Sequence, residues 1–209
     1  MGDVALVAAA TAAGYLAGTF PTAVLVTRVS TRGRVDIRTV GSGNPGGLNT
    51  MLAVGRAWGI VVILVDIAKG AAGALLGWAI ADDAGAYAAA TAVILGHVFP
   101  VWSRFRGGKG VATSAGAVLV VFPAYFPIDA LVALAGSVGT HNPERTVQLA
   151  AGVWVGASLA WWLAGMDNLW GPDPSVGLLL SSLVSGGIIL GKFRLSAIAA
   201  ARRIDSVSA

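Results

Sequence analysis

Residues 111–140 read VATSAGAVLVVFPAYFPIDALVALAGSVGT, thirty positions with a single charge, Asp129, and prolines at Pro123 and Pro127. Apolar sequence of this length points to a membrane, since about 20 apolar residues cross a hydrocarbon core ~30 Å thick. As one helix the stretch crosses once; broken at its prolines it crosses twice, and the choice sets the parity of everything around it. Charge decides between them. Residues 27–56 carry Arg28, Arg32, Arg34, Arg38 and Arg56 against Asp36 alone. Residues 102–110 carry Arg104, Arg106 and Lys109, and the tail carries Lys192, Arg194, Arg202 and Arg203 against Asp205. The turn at Asp82 and Asp83 and the segment 165–174, with Asp167 and Asp173, are acidic. Basic loops belong on the cytoplasmic side. Only the two-helix reading puts all three basic segments on one side and both acidic ones on the other.

The expectation is therefore an all-α integral membrane protein of about seven transmembrane helices, N-terminus outside and C-terminus cytoplasmic. The spans fall at residues 4–26, 57–81, 84–101, the two halves of 111–140, 147–166 and 175–190. The two halves are only about 14–16 residues each, short for a full crossing. Trp58, Trp78, Trp102 and Trp170 lie near span ends, where interfacial tryptophans sit. The first span is not a signal peptide, because only Asp3 precedes it and a basic n-region is missing. Residues 1–209 read as one domain ending in a short basic tail, 192–209, without an internal repeat.

Composition supports this class. The chain is 56% hydrophobic and 11% charged, where roughly 25% charged is usual for a soluble domain, and disordered chains are poorer still in apolar residues. The absence of cysteine excludes disulfides, thiolate chemistry and cysteine-ligated metal. A pI near 10 would suggest nucleic acid in a soluble protein. Here the one-sided placement of charge accounts for it, and no nucleic-acid partner is expected.

The cytoplasmic loops carry the chemistry. Gly41-Ser42-Gly43-Asn44-Pro45-Gly46-Gly47-Leu48-Asn49 can turn backbone N–H groups inward as an anion nest, completed by hydroxyl and amide side chains; such a run is equally a turn-rich connector. In the second loop Gly107-Gly108-Lys109-Gly110 opens a helix, gathering free N–H groups, the positive end of the helix dipole and a lysine. It lacks P-loop spacing and a preceding strand, and a positive-inside glycine turn is the alternative. Asp66 and Lys69 share one helical face inside the second span, where each costs roughly 2.5–3.5 kcal/mol if left unpaired. They form either a structural ion pair or, with Lys69, a reach toward a bound anion. His97, at the cytoplasmic end of the third span, is the best-placed side chain for general base catalysis.

Val35-Asp36-Ile37-Arg38 with Gly-Ser-Gly-Asn, Asp-x-x-Lys-Gly at 66–70, and Gly-His-x-Phe-Pro running to Gly-Gly-Lys-Gly-Val-Ala-Thr resemble the bacterial PlsY family in order and spacing. That resemblance implies a seven-span acyltransferase of the bacterial cytoplasmic membrane. It would move a fatty acyl group from acyl phosphate to glycerol 3-phosphate, giving lysophosphatidate and phosphate for phospholipid synthesis, with membrane lipid around it and without metal or cofactor. It implies that Ser42, Asn44, His97 and Lys109 are catalytic. Gly41, Gly43, Asn49, Lys69, Arg106, Gly107, Gly108 and Gly110 would bind substrate or shape the loops. Lys109 and the 107–110 amides would hold acyl phosphate, Ser42 and Asn44 would orient phosphate or carbonyl oxygen, and His97 or the departing phosphate would take the hydroxyl proton.

This sequence departs from the family pattern on the acceptor side. The family's Gly-Ala-Thr-Asn is Gly46-Gly47-Leu48-Asn49 here, and its following arginine is Leu52, with Arg56 one turn on as a substitute. Gln148 and Ala151 stand where the third motif has serines. The tail, Lys192-Phe193-Arg194-Leu195, lacks the usual His and Asn. His141 and Glu144 read as polar loop residues. An acyltransferase with another polar acceptor, and a non-catalytic anion carrier or regulatory relative, are the competing functions.

Overall fold

The computed structural model describes residues 2–140 and 142–208, so His141 lies outside the described residues. Among the described residues all regular structure is helical. The first apolar run, expected as a span over 4–26, folds as two successive helices, α1 (Gly2–Gly18) and α2 (Thr22–Ser30), and not as one continuous helix. Pro21 has no N–H to donate and its ring excludes the carbonyl one turn back, so the helix stops before it and restarts after it.

A short α3 (Gly47–Ala53) leads into α4 (Arg56–Val98), which reverses direction at Ala81 and Asp82, where the backbone leaves helical φ/ψ. The two arms, 56–80 and 83–98, match the expected spans 57–81 and 84–101. They pack as a hairpin because small residues let the backbones touch: Gly77 faces Gly85 and Ala89, and Gly73 faces Val93. The same device seats α1 on the second arm (Gly14 on Ala89, Gly96 on Tyr15) and α5 on the first (Gly70 on Thr113, Gly116 on Ile67). In lipid, where apolar burial between helices gains little, such close approach supplies the packing energy.

The decisive stretch forms two helices, α5 (Val111–Val121) and α6 (Phe126–Thr140), separated by a 3-10 turn over Pro123–Tyr125. Phe122 takes a non-helical φ of −151° ahead of Pro123, the bias proline imposes on its predecessor. Its ring then stacks on Tyr125 and meets Trp161 edge-on, at 5.3 and 5.5 Å between centroids. Asn142 caps α7 (Pro143–Ala164) by accepting from the Glu144 and Arg145 amides. Finally, α8 (Val176–Ser208) runs far past the expected end at 190, so the basic tail continues the helix.

Among the described residues four stretches are long and apolar enough to cross a membrane: Gly2–Ser30, Arg56–Ser103, Glu144–Ala164 and Val176–Ala201. The bundle has two chemically distinct ends. At one, Trp78 Nε1 donates to Asp83 (3.1 Å), the Asp173 amide donates to Asp83 (3.2 Å), and the Tyr87 hydroxyl donates to the Asp173 carbonyl (2.8 Å). The acidic turns thus meet. The glycine-rich loops lie at the other end.

Candidate active site

The break at Pro21 builds one wall of a cleft. It leaves the Phe20 carbonyl free of a helix and starts α2 at Thr22, both aimed at the first arm of α4. Lys69 Nζ donates to the Phe20 carbonyl at 3.0 Å, and Thr22 Oγ1 donates to Asp66 Oδ1 at 2.8 Å. Lys69 Nζ stands 2.8 Å from the same carboxylate oxygen. Asp66 is buried, at 2% exposure. The ion pair and hydroxyl satisfy a charge that would otherwise be expensive there.

His97 enters from the second arm of the hairpin, with Nδ1 3.7 Å from Asp66 Oδ1. Its opposite edge, Nε2 and Cε1, lies against Gly108, where a Cβ would also meet the Pro45 carbonyl. Glycine is required at 108 for this approach. The Gly107 and Gly108 amides donate to the Val98 and His97 carbonyls at 3.1 and 3.2 Å, which straps the loop onto the end of α4. The expected amide cradle over 107–110 is thereby reduced to Lys109, Gly110 and the first turn of α5. Gly110 itself caps α5 at φ +89°, a conformation suited to glycine.

The first loop is held from within. Asn49, buried at the start of α3, donates Nδ2 to the Ile37 and Val40 carbonyls and accepts the Ser42 amide, at 3.1, 3.1 and 3.0 Å. Gly41 leaves the space that Asn49 Oδ1 fills. The Gly43 and Gly46 amides bond to Val40 and Asn44 carbonyls, and the Asn44 amide donates to Ser42 Oγ at 3.4 Å. Most of the expected anion nest is therefore spent on the loop's own shape, leaving the Ser42 and Asn44 side chains as its polar groups. Before this loop, Arg38 binds Asp36 through two nitrogens and holds its carboxyl down to about 2.

A narrow cleft is lined by Thr22, Asp66, Lys69, His97, Ser103 and Arg106, with Gly107, Gly108 and Pro45. Lys69, His97, Arg106, Gly107 and Gly108, expected from sequence, are brought together there. Lys109 is not in that lining. Its Nζ sits 4.1 Å from the Phe193 ring centre, while Lys192 of α8 sits 5.4 Å from that of Phe99, so two cation–π contacts tie α8 to the loop. Burial lowers the Lys109 pKa, and Glu144 opposes that shift. A second, wider cleft on this side is lined by Glu144, Gln148, Leu190, Gly191 and Arg194.

Thr22 and Ser103 were missed by sequence reasoning. The Thr19-Phe20-Pro21-Thr22 interruption in an apolar run was the available signal for the first, and Ser103 had none. Leu52 is 79% exposed, and Arg56 makes no hydrogen bond or ion pair with the 41–49 loop among the described residues.

The family model described as glycerol-3-phosphate acyltransferase matches residues 8–199. The chain is 46% identical over 124 residues to the glycerol-3-phosphate acyltransferase of Myxococcus xanthus, covering 58% of this chain and 64% of that one. With that of Anaeromyxobacter dehalogenans it shares 44% over 181 residues, 83% of this chain and 85% of the relative. A 40% identical relative from Symbiobacterium thermophilum is spanned over 66% of its length, and 66% of this chain is matched. The chain thus spans just under two thirds of two of these relatives. Two crystal structures of PlsY (YgiH), an integral membrane glycerol 3-phosphate acyltransferase, superpose on it. The glycerol 3-phosphate form is 27% identical, covers 90% of both chains and has a TM-score of 0.70. The lysophosphatidic acid form is 26% identical, covers 91% and 89%, and has a TM-score of 0.71.

Proposed function

As the chain belongs to the glycerol-3-phosphate acyltransferase family, we propose that it transfers a fatty acyl group from acyl phosphate to glycerol 3-phosphate in the bacterial cytoplasmic membrane. The products are lysophosphatidic acid and phosphate. The observation that carries this reading is the cleft in which Lys69, Arg106, Ser103 and His97 converge. Two cations suit a phosphate dianion, and an imidazole beside them suits proton removal from the hydroxyl attached to it.

Lys69 and Arg106 hold the acceptor phosphate, and His97 takes the proton of the attacking hydroxyl. Lys109, with the Gly110 amide and the open first turn of α5, holds the acyl phosphate on the other side of the loop. Ser42 and Asn44, kept in place by Gly41, Gly43 and Asn49, orient a phosphate or carbonyl oxygen. The tetrahedral oxyanion is stabilised by the same donors. Seven crossings, N-terminus outside and C-terminus cytoplasmic, place these groups on the cytoplasmic face, where both phosphorylated substrates are soluble or anchored.

Purified protein given palmitoyl phosphate and a panel of acceptors tests the assignment by phosphate release and lipid product. Lysophosphatidic acid formed only with glycerol 3-phosphate supports it. Product with a different acceptor moves the function to a related acyltransferase, the outcome that Leu52, Gln148 and Ala151 would explain. No transfer, or a Lys109→Ala variant as active as wild type, removes the catalytic assignment.

A further inference from the structure

Ile189, Lys192 and Phe193 share one face of α8, being three and four positions apart. That face meets the start of α5: a Cβ at Gly110 would lie 3.3 Å from Ile189 Cγ1, and Ile189 and Phe193 are buried. The two elements exchange cations across this seam. Lys109 Nζ lies 4.1 Å from the Phe193 ring centre, and Lys192 Nζ 5.4 Å from that of Phe99. The two lysines are close enough to repel each other, and the charge of Lys192 also reaches His97 at the end of α4. Among the described residues neither ammonium has a hydrogen bond or an ion pair; Glu144, on the edge of the second cleft, attracts Lys109 from a distance. Ring faces soften such repulsion without neutralising it. Two part-buried cations gathered in this way make a site for an anion.

We propose that Lys192 is a second phosphate-holding residue, clamping the phosphate of the acyl donor between α8 and Lys109. This deepens the acyltransferase reading above and rests on it. An acyl phosphate carries its charge on three non-bridging oxygens. Two ammoniums take one oxygen each, and the open amides at the start of α5 take the third. Lysine suits the task because it binds phosphate as a point charge on a flexible stem, free to leave a ring face for an oxygen. The repulsion of the empty site becomes attraction in the filled one. The clamp also has a side. Lys69 and Arg106 line the cleft that holds His97 and the 107–108 strap, whereas Lys192 reaches the loop from α8. Its loss therefore falls on the donor and not on glycerol 3-phosphate.

The sequence has no cysteine, so Lys192→Cys introduces a single thiol. The full chain in lipid nanodiscs is titrated by calorimetry, without acceptor, with 2-oxoheptadecylphosphonate, the palmitoyl phosphate analogue whose bridging atom is a methylene. Lys192→Cys is expected to bind it about 10–100-fold more weakly, the loss of one charged hydrogen bond. Bromoethylamine, which turns the thiol into a lysine-like side chain, restores affinity on the same sample; iodoacetamide, which leaves it uncharged, does not. In turnover, KM for palmitoyl phosphate rises and KM for glycerol 3-phosphate stays within about twofold. Phe99→Leu removes the ring and keeps the cation, which separates holding phosphate from pinning α8, and its affinity is expected to stay within about twofold of wild type. If the cysteine variant does not fold, Lys192→Met carries the same expected loss. Unchanged affinity without the lysine, no rescue of a folded cysteine variant, or an equal loss in Phe99→Leu overturns the proposal. The analogue binds without being transferred, so a wild type that holds it through Lys192 yet transfers nothing from palmitoyl phosphate loses the acyltransferase assignment and not the clamp.

Discussion

Replacing Gly108 with alanine tests whether His97 acts from its observed position. A Cβ at 108 lies 2.9 Å from His97 Cε1 and 3.0 Å from the Pro45 carbonyl, and closer still to Nε2. Ordinary carbon contacts are about 3.5–4.0 Å, so the ring must retreat by roughly 0.6–1 Å. It is 8% exposed and has Asp66 on its other side, so it cannot swing freely into solvent. Overpacking of this kind costs about 1–3 kcal/mol of stability, and a 1 Å misplacement of a reacting group costs about 100-fold in rate. The expected variant folds, melts a few degrees lower and loses about 100-fold in kcat, read as phosphate release from palmitoyl phosphate with glycerol 3-phosphate. Gly152→Ala is the control: nothing lies within 4 Å of its Cβ, and alanine in a helix interior gains about 0.5–1 kcal/mol over glycine. Gly108→Ala turning over at the wild-type rate would refute the placement of His97 at the reacting centre.

Asn49→Ala leaves the Ile37 and Val40 carbonyls and the Ser42 amide without their partner; at about 1 kcal/mol or more for each, a loss of about 2–3 kcal/mol is expected by thermal melting, with Ser42 displaced and activity reduced. Lys109 loses its proton below the usual 10.5 because burial disfavours the cation, Glu144 opposing. As pH rises through that lowered value the charge disappears, so the alkaline limb of the rate profile falls below the ordinary lysine range, and Lys109→Arg moves it upward; a limb unmoved by arginine counts against a phosphate-holding role. The Asp36 carboxyl, lowered to about 2 by Arg38, contributes fully above the unfolded value near 4 and is lost as pH falls through 2. Both side chains are about half exposed, so its worth is under about 1 kcal/mol, and acid melts of Asp36→Asn converge with wild type below pH 2.

The elements legible in sequence were those with a local physical cause. Pro123 and Pro127 announce a break between α5 and α6, and Asp82-Asp83 between apolar runs announces the hairpin. Local reading failed where two local signals competed. Pro21 carries the same signal as Pro123, but the uncharged length around it outweighed it. The basic tail from Lys192 carried no sign of whether it is helical; lysine and arginine are good helix formers, and α8 continues through them. The glycine loops looked like anion nests because sequence shows how many amides are available, not how many the loop spends on itself. The convergence of Asp66 with His97 was out of reach, since they are joined only by the hairpin turn at Ala81 and Asp82 and by α2 arriving from a third direction.

That distinction bears on the departures from the family pattern. Leu52 occupies the place of an arginine on α3 and is exposed, and among the described residues Arg56 begins α4 without a bond to the adjoining loop. A phosphate acceptor therefore has to draw its positive charge from elsewhere. The cations near the loops are Lys69 and Arg106 in one cleft, and Lys109, Lys192 and Arg194 on the α8 side. The 107–108 strap lies between the two groups, fixed to α4 through its amides and pressed on His97 through Gly108. Two anions arriving on opposite sides of this strap would meet at the end of α4, where the histidine lies. On the proposed reading the acceptor phosphate relies on Lys69 of the hairpin and Arg106 of the second loop, and not on the α3 arginine that this chain lacks.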